Sequence, residues 1–135
     1  MRTLSTVFKA LSDPSRTRIV NLLLYGESCV CELQGILRES QPKISRHLAY
    51  LKNSGLIRDR RDGTRMFYSL EPRLRQSQKV LLIALRKSFV ASPLLAGDLI
   101  RLKCKLAKGE MYFIQGTRLP ELKRKRRKKL SKARK

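Results

Sequence analysis

The sequence predicts a mainly α-helical fold with one small β-hairpin, and three observations carry that prediction. Four apolar stripes of helical period follow one another through residues 3–53. Two short strand-like runs then flank Asp62-Gly63, and a further apolar stripe occupies residues 74–90. A chain of 135 residues with this pattern suits one modest core, helped by dimerisation.

Leu4, Val7, Phe8 and Leu11 mark a first helix over residues 3–10, stopped by the turn signal Ser12-Asp13-Pro14. Asp13 suits an N-cap and Pro14 a first helical position. A second helix therefore runs through Ile19, Val20, Leu22, Leu23 and Leu24 to a stop at Gly26. Ser28 suits the cap of a short third helix with Val30, Leu33 and Leu37 on one face, Glu32 well placed in its first turns and Gly35 as a weak point. Ser40 then caps a fourth helix that buries Ile44, Leu48 and Leu51 and ends near Asn53-Ser54-Gly55. Residues 56–60 and 65–70 form the hairpin, with Met66, Tyr68 and Leu70 alternating on one face. Leu74, Val80, Leu81, Leu85 and Phe89 make residues 74–90 too apolar for a solvent-facing helix, so the expected cover is another subunit. Pro93 and Gly97 break the pattern before a weaker helix at 98–107. These signals divide the chain into a folded unit at 1–92, an extension at 93–117 and a basic low-complexity tail at 118–135.

The chain sets 32 Lys and Arg against 10 Asp and Glu, a formal charge of +22 that asks for a polyanionic partner, nucleic acid first. The tail contributes +10 of it through eleven basic side chains and Glu121, so the remainder is basic as well. Its run Lys123, Arg124, Lys125, Arg126, Arg127, Lys128 and Lys129 cannot build a core and is expected to stay disordered until it meets a polyanion. The apolar runs at 19–25 and 80–85 are too short to span a membrane, and the start MRTLSTVFKA lacks the apolar stretch of a signal peptide. A cytoplasmic location without a membrane partner is the expectation. Three cysteines, an odd number, read as reduced thiols. A single histidine, no glycine-rich phosphate loop and no paired carboxylates leave an enzyme without parts.

Two short helices joined tightly, then an Arg-rich hairpin, is the layout of a winged helix-turn-helix, in which the fourth helix enters the major groove of double-stranded DNA. Opposite its buried face stand Arg46 and Ala49, flanked by Lys43, Ser45 and Tyr50, with Gln41 at the exposed N-terminal end. Arg suits guanine edges and Gln adenine edges, while Lys and Ser more often hold phosphates. The wing adds Arg58, Arg60, Arg61 and Arg65, whose charges suit the backbone or a narrow minor groove. His47 lies at the edge of the apolar face and reads as a packed or backbone-bonding residue rather than a ligand.

Capped by Ser28, Cys29 and Cys31 would share a helix's first turn, where the dipole and nearby bases favour thiolate, the form that binds soft ions. Positions two apart point to nearly opposite sides, so both sulfurs reach one atom only if that turn unwinds. Unwinding there would misplace the helix that carries Arg46 and Gln41.

Residues 4–90 resemble the ArsR/SmtB repressors, through Ser12-Asp13-Pro14, the run Cys29-Val30-Cys31-Glu32-Leu33, the run from Gln41 through Lys43, Arg46 and His47 to Leu48, and the Asp62-Gly63 wing together. The resemblance implies a homodimer paired through first and last helices, an operator with inverted half-sites, and departure from it when ligand binds. It further implies that Cys29 and Cys31 are the sensing thiolates for trivalent arsenic or antimony. Arsenical-responsive members add a third cysteine three residues on, where this chain has Gln34, and Cys104 supplies it only if the C-terminal segment folds back, within the chain or from the other subunit. Zinc-responsive relatives carry Asp and His on the last helix, and residues 74–90 contain neither. Two other readings stay open: thiols that sense redox or reactive sulfur in the same fold, with Cys104 taking part, and a nucleic-acid-binding protein without regulation.

Overall fold

Six helices and a three-stranded antiparallel sheet make up residues 4–108, the part of the chain that the computed structural model describes. The first helix, α1 (Leu4–Ala10), is joined to α2 (Pro14–Leu23) by the expected turn. Asp13 Oδ1 accepts the N–H groups of Ser15 at 2.8 Å and Arg16 at 3.3 Å, two donors that a helix start otherwise leaves unpaired. Strand β1 (Ser28–Cys29) leads straight into α3 (Val30–Leu37), and α4 (Gln41–Asn53) follows after a turn in which Arg38 takes a left-handed φ of 57°. Ser40 caps α4, accepting the Lys43 N–H at 3.4 Å. At its far end Gly55, with φ 79°, lets its own N–H reach Lys52 O and the Leu56 N–H reach Leu51 O, a paired closure that only a left-handed residue permits.

The hairpin is β2 (Ile57–Asp62) with β3 (Arg65–Leu70), and the strand order is β1-β3-β2. A third strand was not expected. Two residues are too short for any period to register, yet Ser28 pairs with Tyr68 and Cys29 with Phe67. This corrects the cap of α3: Ser28 belongs to the sheet, and Cys29 is the N-cap. Leu70 is buried and Met66 and Tyr68 half-buried, as their alternation predicts, but Phe67 and Ser69 on the opposite face are buried too.

The chain continues as α5 (Gln76–Val90) and α6 (Pro93–Ala107), bent 94° from one another. Here the expected break at 93 does not hold. Pro93 opens a helix, where its missing N–H costs nothing, and Gly97 sits inside it. Leu95, Leu99 and Leu102 enter the same core as Ile19, Leu23, Leu33, Ile36 and Leu48, so residues 93–108 belong with the unit expected at 1–92. Each such leucine removed from water contributes about 1.5–3 kcal/mol. Residues 109–117 of the expected extension, and the tail at 118–135, lie outside the described residues.

Polar contacts fix α6 in place. Asp98, fully buried, accepts Nε and a terminal nitrogen of Arg18 at 2.9 Å each and also bonds Arg101. The same two guanidinium groups donate to Leu37 O at 3.1 Å and Ile36 O at 2.8 Å, satisfying carbonyls that the end of α3 leaves open. A buried carboxylate flanked by two arginines that bond backbone is the kind of charge a core tolerates.

Helix α5 turns Leu82 and Phe89 into the core of its own chain, not solely toward another subunit, while Val80 and Val90 stay exposed. On α1 only Val7 and Ala10 are buried; Leu4 and Phe8, expected in the same stripe, face outward. No single helix among the described residues is long and apolar enough to cross a membrane.

Candidate nucleic-acid interface and cysteine site

Burial of Ile44, Leu48 and Leu51 rotates α4 so that Gln41, Ser45, Arg46, Ala49 and Tyr50 are exposed. Arg46 joins no ion pair among the described residues. Lys43 is half-buried, its Nζ 3.1 Å from Glu39 Oε1, an oxygen that also accepts the Ser15 hydroxyl at 2.9 Å and lies 3.6 Å from Arg18. Tyr50 keeps its ring under the Arg16 guanidinium at 4.0 Å. His47 turns inward with Nε2 3.8 Å from Asp13 Oδ1, which ties α4 to the start of α2. Burial alone would raise the Asp13 carboxyl. The Arg16 N–H, the facing His47, the Ser15 N–H and the Arg16 charge together hold it below the ordinary carboxylate value.

In the hairpin, Arg58, Arg61 and Arg65 are exposed, and Arg61 joins no ion pair among the described residues. Lys52 Nζ, 2.8 Å from Asp59 Oδ2, joins the last turn of α4 to β2. Arg60 departs from its expected place on a DNA backbone. Its guanidinium forks onto both carboxylate oxygens of Glu27 at 2.6–2.9 Å and lies 4.9 Å from the centroid of Phe67.

The cysteines occupy a junction of strand and helix. Cys29 is buried at the end of β1, while Cys31 is exposed in the first turn of α3. The expected opposition of the two side chains is present, but the surroundings of Cys29 do not favour thiolate as expected: burial pushes its thiol up, and although the Glu32 N–H pulls the other way, the Glu32 carboxylate adds to the rise. Glu32 Oε1 accepts the Cys29 N–H at 3.0 Å; its Oε2, like Ser28 Oγ, is buried without a partner among the described residues. Cys104 is exposed on α6. The C-terminal segment does fold back, and among the described residues of the single chain no three His, Cys, Asp or Glu side chains gather as a metal site, so within one chain Cys104 does not join Cys29 and Cys31.

Residues 13–59, which include α2, both cysteines, α4 and the first hairpin residues, match the family described as "Bacterial regulatory protein, arsR family". The chain belongs to the arsR family. Over 69 residues this arsR-family chain is 54% identical to the "Arsenic resistance transcriptional regulator ArsR2" of Pseudomonas putida, a match that covers 50% of the chain and 60% of that relative. It is 52% identical to the "Arsenical resistance operon repressor" of Escherichia coli, again over 69 residues, covering 50% of the chain and 59% of the relative. The match thus spans about 60% of the length of these curated relatives. Among solved structures, HlyU from Vibrio cholerae superposes with a TM-score of 0.56 at 31% identity, covering 62% of the chain and 87% of that protein.

Two polar residues of the arsR-family chain escaped the sequence reading. Glu27 and Asp98 are two of only ten acids in the chain, and both are buried, which in so basic a chain calls for arginine partners. That imbalance was the available signal.

Proposed function

We propose that this chain is an operator-binding repressor that leaves DNA when trivalent arsenic or antimony bridges Cys29 and Cys31. The observation that carries the DNA half is the exposed row Gln41, Ser45, Arg46 and Tyr50 on a helix capped at both ends and pinned by three buried residues. Arg46 takes a base edge, Gln41 a neighbouring base, and Lys43, Ser45, Arg61 and Arg65 hold phosphates. The relatives named for arsenic and arsenical resistance support the metalloid half.

The chemistry follows from the thiols. Arsenite carries hydroxyl groups on trivalent arsenic; two As–S bonds form as two thiol protons and two hydroxyls leave as water. Because Cys29 is buried in the sheet and Cys31 is exposed on the helix, one arsenic atom reaches both sulfurs only if the start of α3 opens. Helix α3 shares its core residues Leu33 and Ile36 with Ile44 and Leu48 of α4, so opening it moves Arg46 out of register with the groove.

The partner is a second copy of the chain, in keeping with the exposed Leu4 and Phe8 on α1 and Val80 on α5, and the operator carries inverted half-sites about 10 base pairs apart. Titrating the operator complex with arsenite, peroxide and polysulfide tests the reading. Release by arsenite alone, lost in Cys29→Ser and Cys31→Ser, is the expected result. Release by peroxide or polysulfide alone would make the thiols a redox or sulfur sensor, and a footprint without any protected sequence would remove the operator.

A further inference from the structure

Arg60, Phe67 and Cys29 stand in one row across the three strands. Arg60 pairs with Phe67 between β2 and β3, and Phe67 pairs with Cys29 between β3 and β1. Residues paired in this way present their side chains on one face of a sheet. Glu27, two positions before Cys29 and 4% exposed, closes the row through its bidentate pair with Arg60, whose guanidinium covers Phe67. The chain therefore makes a circuit: Cys29 to Phe67 by strand pairing, Phe67 to Arg60 by stacking, Arg60 to Glu27 by a charge-assisted pair, and Glu27 back to Cys29 along the backbone.

We propose that Arg60 is a positioning residue that latches the wing to the strand of Cys29, so that a thiophilic ligand drawing Cys29 out of β1 frees the wing. The inference rests on the proposed role of Cys29 as a ligand. It adds a second route of release, through β3 rather than through α3 and α4. Three features make the latch fit this task. The Glu27 carboxylate is nearly sealed from water, so its loss of Arg60 is costly. Strand β1 is only two residues long, so its hold on β3 is weak without the latch. Ser28 Oγ, buried beside Cys29 and without a partner among the described residues, adds no hydrogen bond to that hold.

The full chain, its Glu27→Gln and Arg60→Gln variants and the double variant decide the matter, with arsenite as the probe. Adduct formation is read by intact mass, amide exchange over residues 66–69 by peptide mass, and operator affinity as a function of salt. In the parent, the arsenite adduct is expected to speed exchange over 66–69 roughly tenfold, as loss of a charge-assisted hydrogen bond would. Each single variant should show that acceleration without arsenite and bind operator more weakly by a similar factor, with the double variant no worse than either. Arg60→Gln, at a side chain 40% exposed, keeps the test open should Glu27→Gln unfold. An adduct that releases DNA while exchange over 66–69 stays unchanged would overturn the latch and leave the function standing. So would normal operator binding by Glu27→Gln beside a weaker Arg60→Gln with a shallower salt slope, which would return Arg60 to phosphate. Absence of any arsenite adduct would sink the function and the latch together.

Discussion

Cys29 and Cys31 differ by one intervening residue and by nearly everything that governs a thiol's reactivity. Burial holds the Cys29 proton to higher pH in the folded chain than in the unfolded one. The stability tied to that proton is thus present below the unfolded thiol value and is lost as pH rises through the folded one. Under native conditions iodoacetamide should label Cys31 and Cys104 well before Cys29, with all three equal in urea; equal native rates, followed by peptide mass, would count against a buried Cys29. Asp13 works in the opposite sense. Its folded value is depressed, so its contribution is present above the unfolded carboxylate value and is lost as pH falls below about 4. Asp13→Ala should cost about 1 kcal/mol at neutral pH, and the gap to the parent should narrow in acid melts. On α4, Arg46→Ala is expected to lose about 1–3 kcal/mol on the operator and to relax preference at one base position per half-site. Equal weakening on random DNA would reassign that side chain to phosphate.

Elements differ in how far their sequences declare them. Helices α2 and α4 were legible because their start signals act locally: Asp13 and Ser40 accept amides two or three residues away, and Pro14 sits where a helix needs no donor. Strand β1 was not, since its partner lies some forty positions on and nothing within Ser28-Cys29 records it. For α6, Pro93 and Gly97 have one meaning in isolation and another against a core: the proline sits where a helix needs no donor, and Leu95, Leu99 and Leu102 supply the burial. The exposed row on α4 was readable from its wheel. The fate of Arg60 was not, because its choice between solvent and Glu27 is made by tertiary contact. Asp98→Ala should cost about 3 kcal/mol, read from the urea midpoint, as it leaves two guanidinium groups facing a buried gap. Asp98→Asn, which keeps the shape and an acceptor, should cost less. Matching midpoints for parent and alanine variant would show that α6 is held by its leucines alone.

Over the whole molecule, charge and chain order set the behaviour. The +22 total makes DNA affinity steeply dependent on salt, and removal of residues 118–135 should flatten that dependence while weakening operator and random DNA by similar factors. Equal slopes for the full chain and for one ending at Thr117 would take those residues out of DNA binding. The clamp at Asp98 bears on how the protein is made. Arg18 and its carboxylate are separated by 80 positions, so a growing chain has completed its recognition helix and wing long before Arg18 finds Asp98. Until then the carbonyls of Ile36 and Leu37 lack their guanidinium donors, and Arg18 has only its longer 3.6 Å pair with Glu39. A message cut short between the wing and α6 therefore yields a fragment that carries the exposed row of α4 and the wing arginines without the contacts that fix the end of α3 beside them. On the proposed reading of α4 and the wing, such a fragment is expected to leave the operator empty, and a chain ending at Ala91 that bound operator as tightly as the parent would show that the Asp98 clamp is not needed for binding.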